Sequence, residues 1–274
     1  MTSESFRKIR GVVLSAAVFL SSFFVSIRLV NCAVASPGSH EVPGKTARAT
    51  SGPNRENGAS SEIVKPSGES QQQKAPVIKK VAENTYRIGD VTVNTKERTI
   101  SFGARVNLRE GVLEVLLCTE YSKTHESLLS TKVDPLHLNV SLLLLGLEGG
   151  HAVKYQGDPT KPIGSPVEIW LKVKEGESER VVRAEDWVYN THWKRPMLHT
   201  NWVYVGSVLT KDGFMAQREG QIVTTFHDPF TLIDNPLPGS GDDTVYVPNT
   251  KQVPPLGTRV TVVIKAVPPS LKRR

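Results

Sequence analysis

Residues 167–174 read Val-Glu-Ile-Trp-Leu-Lys-Val-Lys, an unbroken alternation of apolar and polar side chains. An extended strand gathers Val167, Ile169, Leu171 and Val173 on one face and leaves Glu168, Trp170, Lys172 and Lys174 on the other. A lone strand leaves its backbone N–H and C=O groups unpaired, so the rest of the chain must supply neighbouring strands. Val91–Asn94 and Thr99–Phe102 alternate around a polar 95–98 segment, as the arms of an antiparallel hairpin do. Val112–Cys118 is apolar on both faces except at Glu114, which predicts a central strand. Trp202–Leu209 and Phe214–Phe226 flank Lys211-Asp212-Gly213, a hairpin-turn signal, and Arg259–Val267 reads as a closing strand.

Two Asp-Pro pairs read as helix starts, with Asp as N-cap and Pro at the first helical position, where its missing N–H costs nothing. After Asp134, residues 135–147 carry apolar side chains around nearly the whole circumference, which predicts a buried helix stopped by Gly146 and Gly149-Gly150. After Asp228, a short second helix is expected over 229–235, ended by Asn235-Pro236. Strand, Asp-Pro helix and strand thus recur, but the flanking residues do not match over a useful length for a duplication. The predicted class is α+β, predominantly antiparallel β, as a sandwich or curled sheet with one buried helix and one short one.

Arg7, Lys8 and Arg10 precede an uncharged, largely apolar run over 11–27, and Ala33-Val34-Ala35 comes after Arg28. This is the plan of a signal peptide over 1–35, cut after Ala35. An uncleaved anchor and lipidation at Cys32 are the alternatives. All three place the remainder of the chain outside the cytoplasm, periplasmic or secreted, with membrane contact only through the N-terminus. Residues 36–80, rich in Ser, Gly, Pro, Gln and Lys, predict a disordered linker. Residues 81–272 are enough for one β-rich globular domain.

The whole chain carries a formal charge of +7. From Val81 onward, however, 23 Lys and Arg face 22 Asp and Glu, a balance of +1, so the excess lies in the leader, the linker and the Lys272-Arg273-Arg274 tail. No nucleic-acid partner is expected, because a nucleic-acid groove needs clustered cations on the folded part. Cleavage after Ala35 would leave Cys118 as the single thiol, too few ligands for an iron–sulfur cluster.

Chemistry-bearing residues concentrate between Val112 and Leu147. His125-Glu126 lacks the second histidine of the zinc-protease helix, since position 129 is Leu129. Cys118, His125, Glu126 and His137 have ligand types suited to zinc or copper and form a candidate metal set if strand end, loop and helix start converge. Against that stand a Cys118 buried as a small hydrophobe and a His137 bonded to Asp134 or the sheet. Lys123, His125 and Glu126 are alternatively an anchor for an anionic or carbonyl ligand near the Pro135 helix start, or a structural polar network. A second candidate surface lies between Trp187 and Trp202, where Tyr189, His192, Trp193, Lys194, Arg195 and His199 crowd together. Aromatics beside cations suit sugar, peptide or protein recognition. Trp187 and Trp202 themselves are expected in the core, leaving Trp193 and His199 as candidates. No nucleophile elbow, phosphate loop or dinucleotide fingerprint is present.

Val91-Thr92-Val93-Asn94, Leu113-Glu114 leading to Cys118, Lys123-Thr124-His125-Glu126-Ser127 and Leu142–Gly146 together resemble the YdjY-domain family of secreted bacterial proteins. Glu185-Asp186-Trp187-Val188, Trp202–Ser207, Gly220-Gln221-Ile222 and Asp228-Pro229 extend the resemblance across about 86–267. It implies one exported domain and directs attention to Lys123, His125 and Glu126, without giving them a role. Some members carry a ferredoxin-like label, from which the single mature cysteine departs. The functional expectation is an extracytoplasmic binding or interaction module for a protein or small ligand, rather than an enzyme. The alternatives are a metal-dependent enzyme centred on His125 and Glu126, and a purely structural cell-surface protein.

Overall fold

The structure, a computed structural model, describes residues 75–268. The expected signal peptide, Cys32 and the linker up to residue 74 lie outside the described residues.

A meander of β1 (Ile78–Ala82), β2 (Thr85–Ile88) and β3 (Val91–Asn94) leads into β4 (Thr99–Val106). Next come β5 (Val115–Thr119), β6 (Ser127–Thr131), α1 (Pro135–Leu144), β7 (Ser165–Glu175), β8 (Ser178–Arg183), β9 (Val188–Asn190) and β10 (Arg195–Pro196). The chain ends through β11 (Trp202–Tyr204), β12 (Leu209–Thr210), β13 (Gly213–Phe214), α2 (Met215–Glu219), β14 (Gln221–Thr224), β15 (Ile233–Asp234), β16 (Tyr246–Pro248) and β17 (Arg259–Ala266).

Eight strands close on themselves in the order β4-β17-β7-β11-β15-β14-β5-β6, because β6 returns to β4 at Ser130↔Arg105 and Leu129↔Val106. The expected sandwich or curled sheet is therefore corrected to a closed barrel. Alternation fixes which face of a strand is buried but not which strands meet, and closure satisfies edges that an open sheet would expose. Pairing is mainly antiparallel, with β5–β6 and β14–β15 parallel. β7 buries the four apolar residues of its alternating run, packed with Ile100 and Phe102 of β4 and Val260, Val262 and Ile264 of β17. β5 is buried along its whole length between β14 and β6, as its two-sided apolarity predicts.

α1 begins as expected, with the Asp134 carboxylate accepting the Leu136 N–H at 2.8 Å, but it ends at Leu144 and is not buried all round. Leu138 and Leu142 have no exposed surface, whereas Leu143 is 49% exposed, since the helix covers β2, β3 and α2 on one side only. Two side-chain bonds moor it: Tyr204 Oη donates to Asn139 Oδ1 at 2.6 Å, and Gln217 Nε2 to Asp134 Oδ2 at 2.9 Å.

The short helix expected over 229–235 is absent. Asp228 Oδ1 accepts the Phe230 N–H at 2.8 Å in a turn, and Ile233–Asp234 then enters the barrel between β11 and β14 as β15. The β-branched Ile233 suits that strand, and barrel closure overrides the helix-start signal. The expected long strand over 214–226 is likewise split by α2, which ends at Gly220 with φ +73°. The Lys211-Asp212-Gly213 hairpin forms as read, pairing Leu209 with Phe214.

Candidate functional site

Parallel pairing of β5 with β6 sets Val115 opposite Ser127, and so brings Glu114 alongside Glu126 at the strand starts. Residues Thr124–Glu126 make a 3-10 turn, held by Asn107 Nδ2 donating to the carbonyls of Thr124 and Ser127. Lys123 Nζ lies 3.1 Å from Glu114 Oε2, and Gln156 Nε2 donates to the same oxygen at 3.2 Å. Burial raises the Glu126 carboxyl, and its hydrogen bond with Glu114 and that neighbour's charge raise it further. The result is a carboxyl–carboxylate pair beside a lysine, able to hold a proton above the ordinary glutamate range. Lys123 is neutralised by Glu114, which weakens it as an anchor for an anionic ligand. His125 flanks this cluster on the solvent side, with its side chain 74% exposed and Nε2 3.6 Å from Glu126 Oε1. The sequence named Lys123 and Glu126 but missed Glu114 and Gln156, because the pairing depends on strand register.

The four expected metal donors are spread apart in role. Cys118 has no exposed surface, and burial pushes its thiol up to about 11 against a hydrogen bond from Ser127. A thiol so enclosed packs as a small buried hydrophobe. His137 rests against the β2–β3 turn, where a methyl group added at Gly89 would meet its Nδ1 at 2.2 Å. Among the described residues, no three or more His, Cys, Asp or Glu side chains gather to hold a metal ion.

Trp187 and Trp202 are fully buried, as expected. Glu185, also without exposed surface, accepts from Arg183 Nη2 at 2.8 Å, Thr200 N at 3.0 Å and Trp202 Nε1 at 3.1 Å through one oxygen. His199 Nε2 lies 2.8 Å from Asp186 Oδ1 and is tied to this structural network. Trp193 differs. It tops the turn between β9 and β10, is 44% exposed, and carries the Arg195 guanidinium 5.2 Å from its ring centre.

β9 lies between β10 and β16 in a separate three-stranded sheet, with Tyr189 opposite both Pro196 and Val247. Val188 and Asn190 point inward, so Tyr189 and Val247 share the outer face. They form part of a pocket of about 420 Å³ whose walls include Arg109, Pro248 and Lys251. Volumes of this order suit small ligands. Sequence reading found Tyr189 and Trp193; Val247, over fifty residues away, carries no signal of its own.

A buried polar group lies beneath β14 and β15. His227 bridges two segments, with Nδ1 2.6 Å from the Asp158 carbonyl and Nε2 2.8 Å from that of Asn235. Gln221 Nε2 donates to Asp228 Oδ2 at 3.1 Å, and Asp234 Oδ1 accepts from Thr224 Oγ1 at 3.0 Å.

This is a barrel domain with a polar carboxyl pair at one strand start and an aromatic, cation-flanked pocket on an accessory sheet. Residues 91–265 match the model of the YdjY domain, and the chain belongs to that family. Comparison with curated proteins and with solved structures gives no match.

Proposed function

We propose that the chain is an extracytoplasmic binding module whose ligand surface is the outer face of the β10-β9-β16 sheet. The observation that carries this reading is the pocket floored by Tyr189 and Val247 on that face, with Arg109 and Lys251 in its walls; Trp193, capped by Arg195, is exposed at the β9–β10 turn of the same sheet. Flat aromatic faces beside cations bind sugar rings and peptide side chains by stacking and cation–π attraction. The leader plan over 1–35 supports placement outside the cytoplasm. The metal-dependent enzyme has less support, since of its four donors only His125 and Glu126 adjoin.

The purified protein should be screened on arrays of oligosaccharides and peptides. Trp193→Ala and Tyr189→Ala should each weaken a retained ligand about tenfold, near 1.4 kcal/mol. Trp193→Ala should change folding stability by less than about 0.5 kcal/mol, as an exposed residue does. Retention of no ligand, together with turnover of a substrate, would oppose the reading.

A further inference from the structure

On the outer face of the barrel, β4 changes partner. Its residues 99–101 pair with β3, its residues 105–106 pair with β6, and Gly103 stands at the fork, its carbonyl accepting from Thr131 Oγ1 at 2.7 Å. A groove of about 710 Å³ opens there. An added methyl group at Gly103 would meet nothing within 4 Å, so the groove floor is open at this point.

Cations line up across it. Inward residues of β4, β17 and β7 alternate with outward ones, and Arg105, Arg259, Lys172 and Lys174 all point outward. The β4–β17 register sets Arg105 directly opposite Arg259. The β17–β7 register sets Thr261 opposite Lys172, and two residues further along the same register brings Lys174 beside Arg259. Three cations thus occupy one row across three adjacent strands, a span of about 10 Å at the usual inter-strand spacing. Like charges placed opposite each other destabilise a sheet when nothing neutralises them. The groove carboxylates offset this only in part: Glu120 lies 3.9 Å from Lys132, and Glu179, set opposite Lys174 at the end of the row by the β7–β8 register, lies 3.9 Å from Lys172, while the facing Arg105 and Arg259 have no carboxylate within ion-pair distance among the described residues. Among the described residues, Arg105, Arg259 and Lys174 enter no ion pair.

We propose that this groove is an anion site for a small ligand carrying two or more carboxylate or phosphate groups. The two guanidinium forks match the paired oxygens of such groups, and Lys174 supplies a third charge. The hydroxyls of Ser130 and Thr261 line the same groove and add neutral donors. A single monoanion would leave one of the two facing arginines uncompensated, so selectivity for polyanions follows from the Arg105–Arg259 pair. The site is separate from the aromatic pocket, and either proposal can fail without the other.

The test is calorimetric titration of the whole protein with tripolyphosphate, citrate, inorganic phosphate and acetate, at low and at physiological salt. Tripolyphosphate or citrate should bind saturably at one site, about tenfold or more tighter than the matching phosphate or acetate. Arg259→Gln and Arg105→Gln should weaken that binding about tenfold while leaving the ligand-free protein as stable as before or more so. Lys211→Gln, in the turn of the separate β12–β13 hairpin and not among the groove's lining residues, should bind as wild type does. Absence of saturable binding by either polyanion would overturn the proposal. So would equal affinity for monoanions, or polyanion affinity unchanged by both arginine substitutions.

Discussion

Asp234 has no exposed surface, and its Oδ2 has no hydrogen-bond partner among the described residues. Burial raises its carboxyl to about 7, with the charge of His227 opposing. The folded protein therefore favours the neutral acid. Stability from this group is fully present below the ordinary aspartate value, near 4, and is lost as pH rises through about 7. We expect the urea midpoint to fall between about pH 5 and about pH 8 by more in wild type than in Asp234→Asn, whose amide keeps the acceptor oxygen. Parallel pH profiles would show that the buried acid does not set this pH dependence. Cys118 should resist alkylation in the native protein and react once urea unfolds it, as measured at that residue by mass spectrometry; prompt native modification would contradict its burial. The two residues differ in how much of this is legible from sequence. Cys118 ends an apolar run and so declares its burial, whereas Asp234 falls in a segment that reads as a short helix ended by Asn235-Pro236 and becomes part of a barrel strand only through pairing with β11 and β14.

At the scale of elements, strands with an alternating pattern are readable and their partners are not. β7, the β3–β4 hairpin and the Lys211-Asp212-Gly213 turn follow from local residues, because period and turn chemistry are local properties. α2 is hidden because five helical residues cannot outweigh the strand-like residues around them. The juxtapositions of Glu114 with Glu126 and of Tyr189 with Val247 are consequences of register between distant segments. Gly220 tests one such contact. It holds φ +73°, and a methyl group there would approach Thr119 Oγ1 to 2.1 Å while the Gly220 carbonyl accepts the Thr119 N–H at 2.8 Å. Gly220→Ala should cost roughly 2 to 4 kcal/mol from left-handed strain and overpacking together. A loss under about 0.5 kcal/mol in urea unfolding would mean that α2 and β5 do not meet as described.

Across the folded unit, the barrel and its accessory sheet carry two separate candidate surfaces. Closure between β4 and β6 fixes the fork of the cationic groove, and the accessory β10-β9-β16 sheet carries the aromatic pocket. Family membership, the β-rich class and some candidate residues, Lys123, Glu126, Tyr189 and Trp193 among them, are legible in the chain itself, while Glu114, Val247, barrel closure and the surfaces it creates are not. Binding through the aromatic face is the central functional claim, and amide NMR titration with a retained oligosaccharide or peptide tests it most directly. Shift changes should centre on Tyr189, Trp193, Arg195 and Val247 and should need about tenfold more ligand in Trp193→Ala. Changes confined to Lys123–Glu126, or none at these four residues at saturation, would contradict it.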